Sequence, residues 1–163
     1  LQYCIDQDRL YGIGYSLGSM FTYEIACQLN HRFAAVASFA GTMPVDPETC
    51  ELVGGMGILH IHGKLDYIID YDDDWDWKDG EHEGVGTMSN VPGMIEAWSM
   101  RANCGSSDTD ADFFLEHITH SDCFGGARVE HYGIEFWEHT WPDEVDGTPT
   151  YQLMWDFLSD FTN

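Results

Sequence analysis

Positive charge is scarce in this chain: its 163 residues carry 6 Lys and Arg against 29 Asp and Glu, a formal net charge of -23 at pH 7. A surface of that sign repels a phosphate backbone, so nucleic acid is excluded as a partner. Self-repulsion of this kind keeps a protein in solution and is screened by salt, which fits a saline or extracellular setting. Long apolar runs are also missing. No stretch approaches the roughly 18 residues that a membrane span needs, and no basic, apolar signal segment opens the chain, so no membrane partner is expected. The five cysteines, Cys4, Cys27, Cys50, Cys104 and Cys123, lack the C-x-x-C spacing of a structural zinc site. Because five is odd, at most two disulfides form within the chain, and one thiol is left over or pairs outside it. No repeat or low-complexity tract interrupts the sequence.

A content of 44% hydrophobic and 14% aromatic residues suffices for the buried core of one domain. Arg9 to Ile13 is a short apolar run ending in glycines, and Leu17 to Asn30 follows with apolar residues at helical spacing (Phe21, Ile25, Ala26, Leu29). The pattern predicts strand, tight turn, helix. Ala34 to Ala40 and Gly57 to His62 are continuous small or apolar runs, each of strand length and each closed by glycine, as in strands covered on both faces. Asp66 to Gly86 reads as an acidic surface excursion. Val91 to Asn103 regains helical spacing, and Phe113 to Thr119 with Arg128 to Ile134 predict a hairpin around Cys123 and the Gly125-Gly126 pair. Thr150 to Phe161 predicts a last helix with Tyr151, Met154, Trp155, Leu158 and Phe161 as its apolar stripe. Strands alternating with helices imply an α/β fold with a mainly parallel sheet.

Gly14-Tyr15-Ser16-Leu17-Gly18 matches G-x-S-x-G, in which small residues permit the sharp turn that holds a serine up between strand and helix. Among 17 glycines such a string arises by chance roughly one time in ten, but here it follows an apolar strand and opens an amphipathic helix. The helix N-terminus places the Leu17 amide where it can stabilise an oxyanion. A serine hydroxyl needs a base to take its proton, and the base needs a carboxylate to orient it. Asp66 follows the run Gly57 to His62, and His139 follows Arg128 to Ile134. Both are strand exits, in the chain order Ser, acid, His of this elbow type.

These segments resemble the polyhydroxybutyrate depolymerase-like esterases, which are similar to feruloyl and acetylxylan esterases. The resemblance runs the whole length. It rests on Asp8-Arg9-Leu10-Tyr11 leading to the Ser16 elbow, on Arg32 to Ala37 as the next strand, and on His60-Ile61-His62-Gly63-Lys64-Leu65-Asp66 as the acid loop. His139-Thr140-Trp141-Pro142 is similar to the segment bearing the catalytic histidine. Two departures stand out: Glu135-Phe136-Trp137-Glu138 replaces a glycine-rich approach to that histidine, and aspartates crowd Ile69 to Asp76.

The resemblance implies the α/β-hydrolase fold and a secreted serine esterase without cofactor or metal, acting on an ester that is polymeric in some members. Ser16 would be nucleophile, His139 base, Asp66 the acid, and Leu17 an oxyanion donor, with Tyr15 and Trp141 as substrate contacts. Trp98 to Cys104 resembles a helix whose cysteine pairs with a later one, which implies Cys104–Cys123. A second pairing, Cys27–Cys50, leaves Cys4 free. In the resembled fold several strands, and the loop with the second oxyanion donor, precede the elbow. The resemblance therefore implies that residues 1–163 are a partial catalytic domain, its C-terminal half with N-terminal strands missing, poorly soluble and nearly inactive alone.

Other residues admit plainer readings. His60 and His62 share a strand face and are read as packing or loop-bracing residues, the rival being a metal-dependent hydrolase that uses them as an H-x-H pair. A binding module with an idle site is the non-enzymatic rival. His31, His82, His117, His120 and His131 are read as exposed polar residues. Asp70, Asp72, Asp74 and Glu81 fall at positions 1, 3, 5 and 12 of a calcium loop, yet Trp75 stands where glycine is needed and Lys78 weakens the charge, so the segment is read as a solvated acidic loop. Asp70 is a rival to Asp66 as triad acid. Trp75, Trp77, Trp137 and Trp141 either grip substrate or pack.

Overall fold

A computed structural model describes residues 4–47, 50–76 and 86–163. Trp77, Lys78, Glu81 and His82 lie outside the described residues. Six strands form one sheet: β1 (Tyr11–Tyr15), β2 (Ala35–Phe39), β3 (Gly57–Gly63), β6 (Ser106–Ala111), β7 (Leu115–Ser121) and β8 (Arg128–Ile134). Their spatial order is β1-β2-β3-β8-β7-β6. Strands β1, β2, β3 and β8 run parallel, and β7 and β6 continue the sheet antiparallel. Two short ribbons stand apart from it: β4 (Trp75–Asp76) with β5 (Thr87–Met88), and β9 (Glu144–Val145) with β10 (Thr148–Pro149).

Every residue of β2 and β3 is buried, which explains why these strands read as unbroken small or apolar runs rather than as alternation. Helices α1 (Leu17–Gln28) and α2 (Val91–Arg101) cover one face. There Tyr23, Ala26, Met94, Ile95 and Trp98 pack on Val36, Ile58 and Val129. Helix α3 (Thr150–Ser159) covers the other, where Met154, Phe157 and Leu158 meet Ala35, Ala37, Phe39, Leu59 and Ile61. Strand residues therefore alternate between two cores, as the period of 2 requires. The side chain of Asn90 caps α2 by accepting the Gly93 amide at 2.7 Å.

The predicted hairpin is present, with Leu115 paired to Ile134. Both pairings of cysteines, Cys104–Cys123 and Cys27–Cys50, are disulfides, and Cys4 is a free, exposed thiol. Four expectations need correction. The first strand is Tyr11–Tyr15 rather than Arg9 to Ile13, because it runs on through Gly14 to the elbow. No strand was expected between Cys104 and Phe113, yet β6 pairs along β7 from Ser106↔Ser121 to Ala111↔Glu116. Exposed along its whole length, β6 has no apolar face to announce it. The acidic stretch is not wholly a surface excursion, since Asp66, Ile69 and Tyr71 are buried. Lastly, the α3 stripe holds only in part: Met154, Leu158 and Phe161 are buried as expected, but Phe157 is buried with them while Tyr151 and Trp155 are exposed. Trp155 instead meets Tyr11 edge-on, at the rim of the sheet.

Candidate active site

At the end of β1 the chain turns sharply into α1. Ser16 occupies the corner with φ 55 and ψ -121, a left-handed conformation that L-residues rarely adopt. Its amide donates to the Phe39 carbonyl at 2.9 Å, tying the corner to the end of β2. The glycine before it is dictated by space, because a Cβ on Gly14 would lie 2.1 Å from the Gly18 carbonyl oxygen and 2.3 Å from Thr22 Oγ1. Gly41, past β2, meets the same corner: a Cβ there would press on Ser19 and the Ser16 carbonyl. Among the described residues nothing comparable restricts Gly18.

Two loops complete the site. After β3, Gly63 lies against the carbonyl of Trp137, where a Cβ would come within 2.2 Å. This contact, and the Leu65 amide donating to the Trp137 carbonyl at 2.9 Å, hold the loop after β3 against the loop after β8. As a result Asp66 and His139, 73 residues apart, are within reach: His139 Nδ1 is 2.6 Å from Asp66 Oδ2, and His139 Nε2 is 2.8 Å from Ser16 Oγ. The three expected residues therefore form one hydrogen-bonded line.

The carboxylate of Asp66 is buried, and burial alone would raise its pKa. Donors outweigh that: hydrogen bonds from His62, the Ile69 amide, His139 and the Ile68 amide hold it down at about 2. Asp70, the rival acid, spends its Oδ1 on the amides of Asp72 and Asp73 within its own turn. Asp74 accepts both the amide and the side-chain nitrogen of Asn90 at 2.7 Å, so two of the acidic positions brace turns and the α2 start.

Leu17 is the first residue of α1, which sets its amide at the helix N-terminus beside Ser16. The aromatic ring of Tyr15 lies 5.4 Å from that of His139, and its hydroxyl donates to the His139 carbonyl at 2.8 Å. Trp141 packs edge-on to Tyr15 and Phe39. Both residues keep about two-fifths of their surface open, Tyr15 at 41% and Trp141 at 39%. They support the histidine loop and also border the site. Trp137 donates to the Thr140 carbonyl, closing the same loop, and Trp75 lies in β4.

His60 and His62 are fully buried, with their ring nitrogens turned to Tyr23, to one another, and to Asp66 and Ile69. They brace the interior, and the H-x-H pair offers no free nitrogen for a metal. The expectation that His131 and His117 are exposed is overturned. His131 is buried and takes a bond from Tyr71, and His117 stacks on Tyr132 at 4.0 Å. These contacts have no local spacing signal, because the partners come from the loop after β3 and from a neighbouring strand.

Residues 1–75 match the phospholipase/carboxylesterase family. Over 99% of its length the chain is 25% identical to a bifunctional acetylxylan esterase/xylanase, XynS20E, of Neocallimastix patriciarum, covering 22% of that protein. Over 85% it is 28% identical to "Putative esterase NocK" of Nocardia uniformis subsp. tsuyamanensis, covering 44% of it. The chain thus spans less than half the length of either relative. Among the described residues no helix is long and apolar enough to cross a membrane. A mostly parallel sheet between two helical layers, matched through its elbow by a hydrolase family, is the α/β-hydrolase fold, as the resemblance in sequence led us to expect.

Proposed function

We propose that this chain carries the reaction centre of a serine carboxylic-ester hydrolase. The observation that supports this most is the unbroken line from Ser16 Oγ to His139 to Asp66, built on a strained corner at the N-terminus of α1. In the proposed reaction His139 Nε2 takes the hydroxyl proton as Ser16 Oγ attacks the ester carbonyl carbon. Asp66 keeps the other ring nitrogen protonated and stabilises the imidazolium that forms. Charge collects on the carbonyl oxygen, where the Leu17 amide at the helix N-terminus donates a hydrogen bond. His139 returns its proton to the leaving alcohol and an acyl-Ser16 ester remains; water then attacks it with His139 again as base, the acyl–Oγ bond breaks to release the acid, and His139 hands the proton back to Ser16 Oγ. The cycle uses only side chains and backbone, with no cofactor.

Acetyl or feruloyl groups on plant polysaccharide are the favoured esters, with hydroxyalkanoate polymers and short-chain esters as further members of the class. An acetylxylan esterase among the relatives, and open aromatic surface at Tyr15 and Trp141, support a polysaccharide-borne acyl group. Two disulfides and the strongly acidic surface support an extracellular setting.

Labelling with a fluorophosphonate followed by peptide mapping tests the proposal. A single adduct at Ser16, lost in Ser16→Ala, is expected together with hydrolysis of acetylated xylan or a feruloyl ester. An unlabelled Ser16 in a folded protein overturns the reading.

A further inference from the structure

Behind Asp66 the interior holds a run of polar side chains that ester hydrolysis as written above leaves unused. Tyr23 of α1 and His60 and His62 of β3 are all within 1% of full burial. The Tyr23 hydroxyl is 2.6 Å from His60 Nδ1, His60 Nε2 is 3.0 Å from His62 Nδ1, and His62 Nε2 is 3.1 Å from the Ile69 carbonyl oxygen and 3.3 Å from Asp66 Oδ2. These contacts can be assigned protons from one end. A carbonyl oxygen and a carboxylate only accept, so the hydrogen must be on His62 Nε2. In a neutral ring the other nitrogen, Nδ1, then accepts, which puts a hydrogen on His60 Nε2. His60 Nδ1 accepts in turn, so Tyr23 donates. His131 obeys the same logic: its Nδ1 faces the His60 carbonyl at 3.2 Å and donates, leaving Nε2 to accept from the Tyr71 hydroxyl. Burial pushes the pKa of both His60 and His131 down, in keeping with neutral rings.

Asp66 is thereby held from two sides. Its Oδ1 accepts the amides of Ile68 and Ile69, each at 2.9 Å, and its Oδ2 faces both His139 and His62. We propose that His62 is a positioning residue of the reaction centre: a one-way chain of donors from Tyr23 through His60 sets its Nε2–H on Asp66, and so fixes the oxygen that Asp66 offers to His139. The inference rests on the reading of Ser16, His139 and Asp66 as the triad.

Its test joins two measurements on the protein as its gene encodes it. Long-range 15N NMR of the imidazole rings is expected to show His60 and His62 as neutral Nε2–H tautomers and His131 as the Nδ1–H tautomer. Fluorophosphonate labelling of Ser16 is then compared between His62→Leu and His62→Gln. Both variants remove the acceptor that His60 uses, but only Gln keeps a donor near the Nε2 position. His62→Leu is expected to slow labelling about tenfold or more, as displaced catalytic groups do, while His62→Gln recovers most of the rate at similar melting temperature. A His62 found as the Nδ1–H tautomer or as a cation overturns the inference, as do two variants that label equally slowly or a Leu variant that labels like the wild type. Wild-type protein that takes no label at Ser16 overturns the triad reading instead, and the tautomers then still decide whether His62 donates to Asp66.

Discussion

At the scale of single residues the proposed chemistry rests on a serine held in a left-handed conformation and a carboxylate surrounded by donors. Groups that act as a unit fail as a unit. Ser16→Ala and His139→Ala should each lower kcat by roughly four to six orders of magnitude with the fold intact, and the double variant should be little worse. Additive losses in steady-state assays would mean that the two do not share a step. Protonation gives a second prediction. The Asp66 pKa is about 2 in the folded chain, below that of a free carboxyl group, so its stabilisation is complete above pH 4 and is lost as pH falls from about 4 to about 2. The amount is roughly 2 kcal/mol. His131, lowered to about 3 by burial first and by the His62 ring next, acts over a higher window. Unfolded protein binds its proton first, so destabilisation begins as pH drops below about 6.5 and grows down to about 3. Urea unfolding followed from pH 7 to pH 2 should show both declines. Because burial pushes His60 down too and so acts in the same direction, His131→Gln should make the upper decline shallower without removing it, and an unchanged upper decline in that variant would assign it to other groups.

Elements place these residues, and each placement depends on a close approach. Gly14 lets β1 lie against the first turn of α1, so Gly14→Ala should cost roughly 3 kcal/mol by overpacking against backbone that cannot step aside. A melting temperature unchanged in Gly14→Ala would mean the corner is looser than its geometry. The Cys104–Cys123 disulfide joins the end of α2 to the hairpin, spanning 19 positions, and reducing it should lower stability by about 3 kcal/mol in the chain-entropy picture. Chemical unfolding of a Cys104→Ser/Cys123→Ser variant checks this, and a loss near zero would show that β6 and β7 hold the loop closed by themselves. Legibility in sequence differed among the elements for a physical reason. The buried strands β2 and β3 carry continuous small or apolar runs because helices cover both of their faces, and helix α2 carries a periodic one because a single face packs on the sheet. Strand β6 carries none, since its register is set by backbone pairing with β7. Of the α3 stripe, Met154, Leu158 and Phe161 are buried, whereas Tyr151 and Trp155 are exposed although apolar, so residue type alone does not set the limits of the buried face.

Across the whole molecule, β1 pairs with β2 along one edge, and its other edge is unpaired among the described residues. Ile13, Leu17 and Phe21 are exposed around that edge, at 58%, 63% and 63%. An apolar open edge invites pairing with another chain, while a charge of -23 opposes it. The balance is set by salt. The 163-residue chain expressed alone should therefore self-associate, and more strongly as ionic strength rises and the Debye length shrinks from about 30 Å at 0.01 M to about 8 Å at 0.15 M. Sedimentation velocity across that range checks this, and a monomer at every salt concentration would show that the edge is closed in solution.

The sequence by itself determined the alternation of strands and helices, the elbow around Ser16, and the positions of Asp66 and His139 at strand exits. These are local: glycine spacing, apolar periodicity and loop boundaries act within a few residues of one another. Only the tertiary structure decided which carboxylate meets His139, because Asp66 and Asp70 differ by four positions in sequence and are separated by what their oxygens touch. It alone placed His60, His62 and His131 in one buried network, since their partners come from α1, from the loop after β3 and from neighbouring strands. Lone histidines have no signature along the chain, and their chemistry exists only once the sheet has brought them together.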